Sequence, residues 1–165
     1  MQLTHYTSHF KQQQFPIVLI CDNVTNAPNI GSLFRIADAM GIEKLIFCGE
    51  NIPIGRRMTK TSRSTEKYMP YEVHESIASL IESYASYQLI ALEITDESKP
   101  LETLKVENNK PVALIVGNEN FGISDGVLKQ CNEVVHIDMY GKNSSMNVVQ
   151  ATSIALYAIT NQLKS

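Results

Sequence analysis

Residues 17–41 read IVLICDNVTNAPNIGSLFRIADAMG and predict a strand, a turn and a helix in succession. The apolar run 17–21 is unbroken, which is typical of a strand buried on both faces of a parallel sheet. Residues 22–28 have turn chemistry. We expect the helix to begin near Asn29, which can cap it, and to end at Gly41. A strand that leads directly into a helix in this way indicates an α/β fold.

The same alternation of strands and helices continues along the chain. Further strands are expected at 44–48, 71–74, 88–94, 112–116 and 133–137, and helices at 76–87, 125–130 and 147–163. Residues 51–70 are polar and basic and carry no clear pattern, and 96–110 are expected to form a loop with one helical turn. We therefore predict an α/β fold with a mostly parallel sheet and helices on both faces.

The last predicted helix is the most apolar part of the chain. One of its faces is expected to consist of Ala151, Ile154, Ala155, Ala158 and Ile159, and other apolar residues surround much of the remainder. A helix that is apolar nearly all round must be buried. In a small domain, this predicts a subunit interface in addition to a place in the core.

Length and composition indicate one domain, residues 1–165, with a short polar segment over 1–15. With 44% hydrophobic and 19% charged residues, the chain resembles an ordinary globular protein. No apolar run approaches the roughly 20 residues of a membrane span, and the polar N-terminus lacks the apolar segment of a secretory signal. We expect a cytoplasmic protein without a membrane partner.

Cysteine and histidine show no metal-binding pattern. The three cysteines form no CxxC pair, so free thiols in a reducing compartment are expected and a zinc site is not. His5, His9, His74 and His136 lack ligand spacing, and we interpret His136 as a structural residue of a strand. The sequence therefore predicts no metal.

A basic stretch stands out in a chain whose net charge is −3. The net charge argues against a surface that grips nucleic acid everywhere. The stretch nevertheless concentrates five cations: Arg56, Arg57, Lys60, Arg63 and Lys67. We interpret it as a candidate nucleic-acid contact, and the alternative is a solvated helix face with Glu66 nearby.

Three polar segments follow predicted strands, where parallel α/β folds place ligand sites. The first is NAPNIGSLFR at 26–35. Arg35 is expected on a polar stripe with Gly31, Ser32 and Asp38. It could form a surface pair with Asp38, or it could grip a phosphate near the helix N-terminus.

The other two segments are GNENFG at 117–122 and MYGKNSSMNV at 139–148. The glycines of the first permit a sharp turn. Glu119 between them disfavours a phosphate-cradling loop, and with it ATP or a dinucleotide. In the second, Ser144 and Ser145 could simply cap the last helix, or a serine followed by Asn147 could orient a hydroxyl substrate.

Taken together, in this order and at these separations, the three segments resemble the SpoU (TrmH-type) branch of the SPOUT RNA methyltransferases. The shared pattern has an asparagine, a glycine and an arginine in the first helix, a G-x-E-x-x-G turn, and a serine-hydrophobe-asparagine before the last helix. The matching residues here are Asn29, Gly31, Arg35, Gly117, Glu119, Gly122, Ser145, Met146 and Asn147. The resemblance extends over residues 16–163.

The resemblance implies a fold and an activity. The fold would include a C-terminal deep trefoil knot, which general topology rules would not predict. The knot would form a pocket for S-adenosyl-L-methionine, and the protein would be a homodimer. The reaction would be methylation of a ribose 2'-hydroxyl in tRNA or rRNA, so the implied partner is RNA.

The resemblance also implies roles for individual residues. The reaction site would consist of Arg35, Glu119, Ser145 and Asn147, with Arg35 supplied by the partner subunit. The cofactor would be held by Leu92, Glu93, Gly117, Asn118, Gly122, Ile137, Met139, Ser145 and Met146. RNA would be contacted by Asn29, Arg35, Arg56, Arg57, Lys60 and Arg63. Glu119 would orient Arg35 or Asn147, and the identity of the base stays open.

Departures from the family pattern and alternative functions remain at this point. Met146 stands where the family usually has leucine, and 149–150 replace a more usual pair of small residues. The chain is expected to lack the N-terminal RNA-binding extension of larger relatives. Alternatives are the same fold acting on the ribose of the tRNA wobble nucleotide, and a catalytically silent RNA-binding module.

Overall fold

The computed structural model describes residues 10–164; residues 1–9, with His5 and His9, and residue 165 lie outside the described part. Seven strands occur in the described chain: β1 (Phe15–Asp22), β2 (Ile42–Cys48), β3 (Tyr71–His74), β4 (Gln88–Leu92), β5 (Lys99–Pro100), β6 (Val112–Val116) and β7 (Glu133–His136). Between residues 10 and 164 lie four α-helices: α1 (Ala27–Ala39), α2 (Arg56–Ser62), α3 (Asp125–Leu128) and α4 (Val148–Leu163).

The strands form one sheet with the order β3-β2-β1-β6-β4-β7-β5, and every pairing is parallel. In the register of the central strands, Ile20 of β1 lies between Ile46 of β2 and Ile115 of β6. These strands are continuous apolar runs because a parallel sheet is covered on both faces. The predicted α/β fold with a parallel sheet is confirmed.

Two apolar layers cover the two faces of the sheet. One contains alternate residues of β1, such as Leu19, packed with Phe34 of α1 and Leu156 of α4. The other contains Val18 and Ile20, packed with residues 77–84 and with Val127 of α3. Because side chains alternate along a strand, each strand contributes to both layers. Helices α1 and α4 cover one face, and α3 with the 3-10 helix Ile81–Tyr84 covers the other, so the predicted helices on both faces are confirmed.

The predicted helix over 76–87 is wrong. The segment forms turns and one 3-10 helix, Ile81–Tyr84, although its apolar residues are buried as the pattern requires. Most of its backbone hydrogen bonds span three residues, and that from Ile81 to Ile77 spans four. The hydroxyls of Ser79 and Ser83 donate to the carbonyls of Ser76 and Leu80. Serine hydroxyls that bond to nearby carbonyls compete with regular α-helix formation.

The starts of α1 and α4 differ from the prediction in an informative way. Asn26 caps α1, because its Oδ1 accepts the N–H of Asn29 at 3.0 Å, so the helix begins two residues before Asn29 and includes Pro28 in its first turn. Asn147 caps α4, because its Oδ1 accepts the N–H of Val149 at 2.8 Å. Neither Ser144 nor Ser145 is a cap.

Helix α4 is buried on one side only. Ala155, Leu156 and Ile159 are fully buried, but Ile154 is 44% exposed and Tyr157 is 60% exposed. Placing Ile154 on the face of Ala155 and Ile159 was therefore wrong. One protomer leaves an apolar strip of this helix uncovered.

The remaining differences concern boundaries and the unassigned segments. Residues 51–70 contain α2 and a 3-10 helix, Thr65–Lys67. Residues 96–110 contain the short strand β5 and the 3-10 helix Leu101–Thr103. Strand β4 ends at Leu92, two residues earlier than predicted. Within residues 10–164, none of the helices combines the length and apolarity needed to span a membrane.

Candidate active site

A cleft opens at the carboxyl ends of β4, β6 and β7. Its walls consist of Leu92, Glu93, Ile94, Val116, Gly117, Asn118, Glu119, His136, Ile137, Met139, Ser145, Met146, Val148 and Ala151. Of the nine residues expected to hold a cofactor, eight line this cleft and Gly122 does not. This edge of a parallel sheet is where ligands bind in α/β proteins.

Gly122 has a structural role behind the cleft. Its φ of 64° is in the left-handed region, and a Cβ on it would meet the carboxylate of Glu93. That carboxylate accepts the N–H of Ile94 at 3.0 Å and the N–H of Ile123 at 2.9 Å. Glu93 therefore ties the end of β4 to the glycine turn, and Gly122 leaves room for it.

The glycine turn is locked by Asn118. The side-chain amide of Asn118 donates to the carbonyl of Asn23 at 2.8 Å, which anchors the turn to the end of β1. Its Oδ1 accepts the N–H groups of Asn120 and Phe121, and its carbonyl accepts the N–H of Gly122 at 2.8 Å. The backbone that carries Glu119 is consequently held in one conformation.

The three polar segments meet in a chain of side-chain hydrogen bonds. Asn147 Nδ2 donates to Asn29 Oδ1 at 3.1 Å, and Asn29 Nδ2 donates to Glu119 Oε1 at 2.5 Å. These residues are 118 and 90 positions apart in sequence, so only the fold brings them together. Because Asn26 caps α1, the side chain of Asn29 is free to bond to both Glu119 and Asn147. Glu119 is thus linked to Asn147, one of the two residues that it was expected to orient, through Asn29.

Arg35 and Gly31 lie apart from this network. Arg35 is exposed and six residues beyond Asn29, which corresponds to about 9 Å along a helix. Within residues 10–164 it forms neither the surface pair with Asp38, which was one of its two alternatives, nor a hydrogen bond or ion pair with Glu119. Gly31 is buried rather than on a polar stripe, since a Cβ there would overlap Thr61 of α2.

The basic stretch forms α2 and the turn after it, and it packs beside the N-terminal half of α1. Thr61 Oγ1 donates to the carbonyl of Pro28 at 3.0 Å, one residue from Asn29. Met58 and Ser62 are buried, while the cations Arg56, Arg57, Lys60, Arg63 and Lys67 are exposed. In the described part of the chain none of these cations forms an ion pair, and the nearby Glu66 accepts a hydrogen bond from Ser62 instead. A basic surface thus borders the network.

A family model for the SpoU rRNA Methylase family matches residues 16–157, which is most of the chain. This chain belongs to the SpoU family. The match includes all three polar segments and the strands that hold them.

Individual SpoU relatives show how far the similarity extends. The tRNA (guanosine(18)-2'-O)-methyltransferase of Aquifex aeolicus is 30% identical over 157 residues, which are 92% of this chain and 72% of that protein. The chain covers between 59% and 64% of the length of five other curated relatives.

Two solved structures of SpoU proteins superpose well on this chain. A tRNA-modifying TrmH/SpoU enzyme of Aquifex aeolicus has a TM-score of 0.81 and 26% identity, covering 93% of this chain and 78% of that one. The methyltransferase AviRb of Streptomyces viridochromogenes, in complex with AdoMet, has a TM-score of 0.76 and 25% identity, covering 92% of this chain and 62% of that one.

Buried titratable groups of this SpoU chain lie at the carboxyl ends of β1 and β2. Burial raises the pKa of Asp22 above its ordinary value of 3.8, and the hydrogen bond from Asn23 partly offsets this. Burial also raises the pKa of the Cys21 thiol, and it raises that of Cys48 to about 12. These thiols are free and stay protonated at neutral pH, so they are packing residues rather than nucleophiles.

The cleft itself is apolar and acidic. Its lining within residues 10–164 includes two acidic residues, Glu93 and Glu119, and no lysine or arginine. His136 also lines it, with Nδ1 2.9 Å from Ser98 Oγ and Nε2 3.3 Å from Asp138. Its place at the cleft was not anticipated. Four other lining residues were not predicted from the sequence: Ile94, Val116, Val148 and Ala151. Each lies within a few positions of a predicted residue, so its place at the end of a strand or the start of a helix could have identified it.

Proposed function

We propose that this chain is an S-adenosylmethionine-dependent enzyme that methylates a ribose 2'-hydroxyl in tRNA or rRNA. The observation that carries the proposal is the hydrogen-bonded chain Glu119–Asn29–Asn147 at the mouth of the cleft, in a member of the SpoU family. The Aquifex relative named as a tRNA guanosine 2'-O-methyltransferase and the cofactor complex of AviRb support the same activity.

The chemistry of the cleft fits S-adenosylmethionine. Apolar walls suit the adenosine and the methylene groups, and two acidic residues without a lysine or arginine suit a cation rather than a polyphosphate. When bound, this cofactor supplies a methyl group on a positively charged sulfonium. Backbone groups near Gly117, Ile137 and Met146 would hold it, with Leu92 and Glu93 at the end of β4.

Asn147 and Ser145 would orient the ribose hydroxyl. Both the cap to Val149 and the bond to Asn29 fix the amide of Asn147, so its second N–H is left pointing in a set direction. Ser145 lines the cleft next to it. Holding a hydroxyl close to the transferred methyl is the largest contribution that positioning groups can make.

Glu119 would act through Asn29. Its carboxylate accepts the amide N–H of Asn29, which in turn presents its carbonyl oxygen to Asn147. This arrangement fixes which end of each amide is the donor, and a charged acceptor makes the first bond stronger than a neutral pair. Glu119 is therefore a positioning residue for Asn147.

Arg35 would reach the site of the partner subunit in a homodimer. It is exposed and separated from the network of its own chain, and α4 leaves Ile154 and Tyr157 uncovered as a surface for a second copy. A guanidinium is a poor base at neutral pH, because its charged form is strongly favoured. We assign Arg35 to a phosphate beside the target ribose, where it also stabilises charge that develops on the hydroxyl oxygen.

The remaining expectations stay part of the proposal. They are a single domain over 1–165, a C-terminal trefoil knot, a cytoplasmic location, and RNA contacts by Asn29, Arg35, Arg56, Arg57, Lys60 and Arg63. The resemblance to SpoU proteins supports the knot, and the unpaired cations of α2 beside the site support the RNA contacts.

Mapping of 2'-O-methyl groups in tRNA and rRNA tests the function. A strain that lacks the protein should lose methylation at a defined position, and a plasmid copy should restore it. The RNA position that loses its methyl group would show whether the target is the ribose of the tRNA wobble nucleotide or another ribose. An unchanged methylation map together with no calorimetric binding of S-adenosylmethionine would instead identify a silent RNA-binding module.

Mixing of two inactive variants tests the shared site. Arg35→Ala and Asn147→Ala homodimers should each be inactive, and subunit exchange should restore about a quarter of native activity. The reason is that about half of the exchanged dimers would hold one intact site. Failure of the mixture to regain activity, despite dimers seen by sedimentation, would place Arg35 in its own subunit's site.

A further inference from the structure

Two aromatic side chains stand almost free in solvent on the loops that border the cleft. Tyr140 is 94% exposed and Phe121 is 89% exposed, the highest values for aromatic residues between positions 10 and 164. Phe121 belongs to the glycine turn with Glu119, and Tyr140 belongs to the loop that leads to Ser145. Both rings therefore extend from the segments that form the proposed reaction site.

The exposure of Phe121 is built into a rigid turn. Its N–H donates to Asn118 Oδ1 at 3.1 Å, the next N–H, of Gly122, donates to the Asn118 carbonyl, and Asn118 is anchored to the carbonyl of Asn23. A turn locked on both sides of Phe121 holds its backbone outside the core. The ring thus gains none of the stabilisation that burial gives an aromatic side chain.

Neither ring lines the cofactor cleft, although adjacent residues such as Met139 do. The rings accordingly belong to the rim, where a second ligand approaches. The second ligand of the proposed reaction is RNA.

The charge of this rim favours bases over phosphates. Glu93 and Glu119 line the cleft, and Asp138 is close to His136, so the rim of a single chain is acidic and only Lys142 adds a cation from the loop over 139–147. The proposed phosphate contact is left to Arg35 of a second copy. The exposed cations of α2 lie beside α1 and border the network, but none of them lines the cleft. RNA-binding proteins commonly stack unpaired bases on aromatic side chains, and this needs no charge.

We propose that Phe121 stacks on the base of the nucleotide whose ribose is methylated, and that Tyr140 provides a second aromatic contact to the same base. This inference rests on the function proposed above. It makes Phe121 a substrate-positioning residue that is separate from the cofactor site and from the phosphate contacts of α2.

The test uses the full-length protein. Its substrate is RNA from a strain that lacks the protein, and of this RNA only the fraction that the native enzyme methylates is used. Phe121→Leu keeps an apolar side chain and removes the aromatic face, whereas Phe121→Tyr keeps the ring. Since stacking is worth about 1–3 kcal/mol per base, kcat/KM for RNA should fall about 5- to 150-fold in Phe121→Leu and stay near native in Phe121→Tyr. Phe10→Leu is the matched control, because Phe10 is 88% exposed and lies near the amino ends of β1 and β2, at the end of the sheet opposite the cleft.

Two further readouts separate stacking from a general defect. Calorimetric affinity for S-adenosylmethionine should not change in Phe121→Leu, and the slope of RNA affinity against salt concentration should stay native because no phosphate contact is lost. A native kcat/KM in Phe121→Leu would overturn the inference while leaving the proposed function intact. If the native protein methylates no RNA at all, it is the proposed function that fails.

Discussion

Removal of the Asn29 side chain probes the network at its middle. Asn29→Ala deletes two hydrogen bonds, one of them to a carboxylate. Each such bond contributes about 0.5–1.5 kcal/mol net, and water can replace part of this because both bonds are exposed. We expect the free energy of unfolding to fall by about 1–2 kcal/mol. Methyl transfer should lose more, about 100-fold in kcat/KM, since small displacements of positioning groups are costly.

A double-mutant cycle separates a connected network from two independent contacts. Glu119→Ala is combined with Asn29→Ala, and initial rates of transfer of a tritiated methyl group to RNA are measured at saturating cofactor. If Glu119 acts through Asn29, the double variant should be about as slow as the slower single variant. Asn120→Ala is the control, because within residues 10–164 its side chain forms no hydrogen bond. Losses that multiply across the cycle would refute the bridge.

Three other predictions concern packing, pH and RNA contact. Gly31→Ala should cost about 1–3 kcal/mol and lower Tm by several degrees, because its Cβ overlaps α2, whereas Gly126→Ala, with no atom within 4 Å, should not lower Tm. Burial raises the pKa of the Asp22 carboxyl, so the folded state binds its proton more tightly than the unfolded state. The free energy of unfolding therefore falls as pH rises from 3.8 through the raised pKa. Asp22→Asn should therefore raise Tm at pH 7 and leave it unchanged at pH 3; a lower Tm at pH 7 would contradict this. Neutralising the three arginines of the basic stretch should weaken RNA binding and flatten its salt dependence, and unchanged filter binding would exclude that surface.

The strands could be predicted because their environment leaves few choices. A run such as 112–116 is covered on both faces, so each of its residues must be apolar, and the pattern is visible without knowledge of the fold. The helix predicted at 76–87 failed because its apolar spacing suits either an α-helix or a series of turns. Serine hydroxyls that bond to nearby carbonyls favour the turns over the α-helix, and the spacing of apolar residues contains no information about these bonds.

The site could be predicted only in part, because contacts between distant segments decide the role of several of its residues. The segment 26–29 contains two asparagines, and either could cap the helix by local rules. A contact 90 residues away decides the matter, since Asn29 is held by Glu119. Gly31 was placed on a polar stripe because nothing local reveals that α2 packs against it. Strand ends indicated that the three polar segments belong to a ligand site, but individual residues were brought together only by the family resemblance.

Nucleoside analysis of labelled RNA measures the proposed chemistry itself. Purified protein is incubated with RNA from a strain that lacks it and with S-adenosylmethionine labelled in the methyl group, and the RNA is then digested to nucleosides. We predict label in a single 2'-O-methylnucleoside, with none transferred by a folded Asn147→Ala variant. Label in a base-methylated nucleoside, or no transfer by the folded native protein, would contradict ribose 2'-O-methylation.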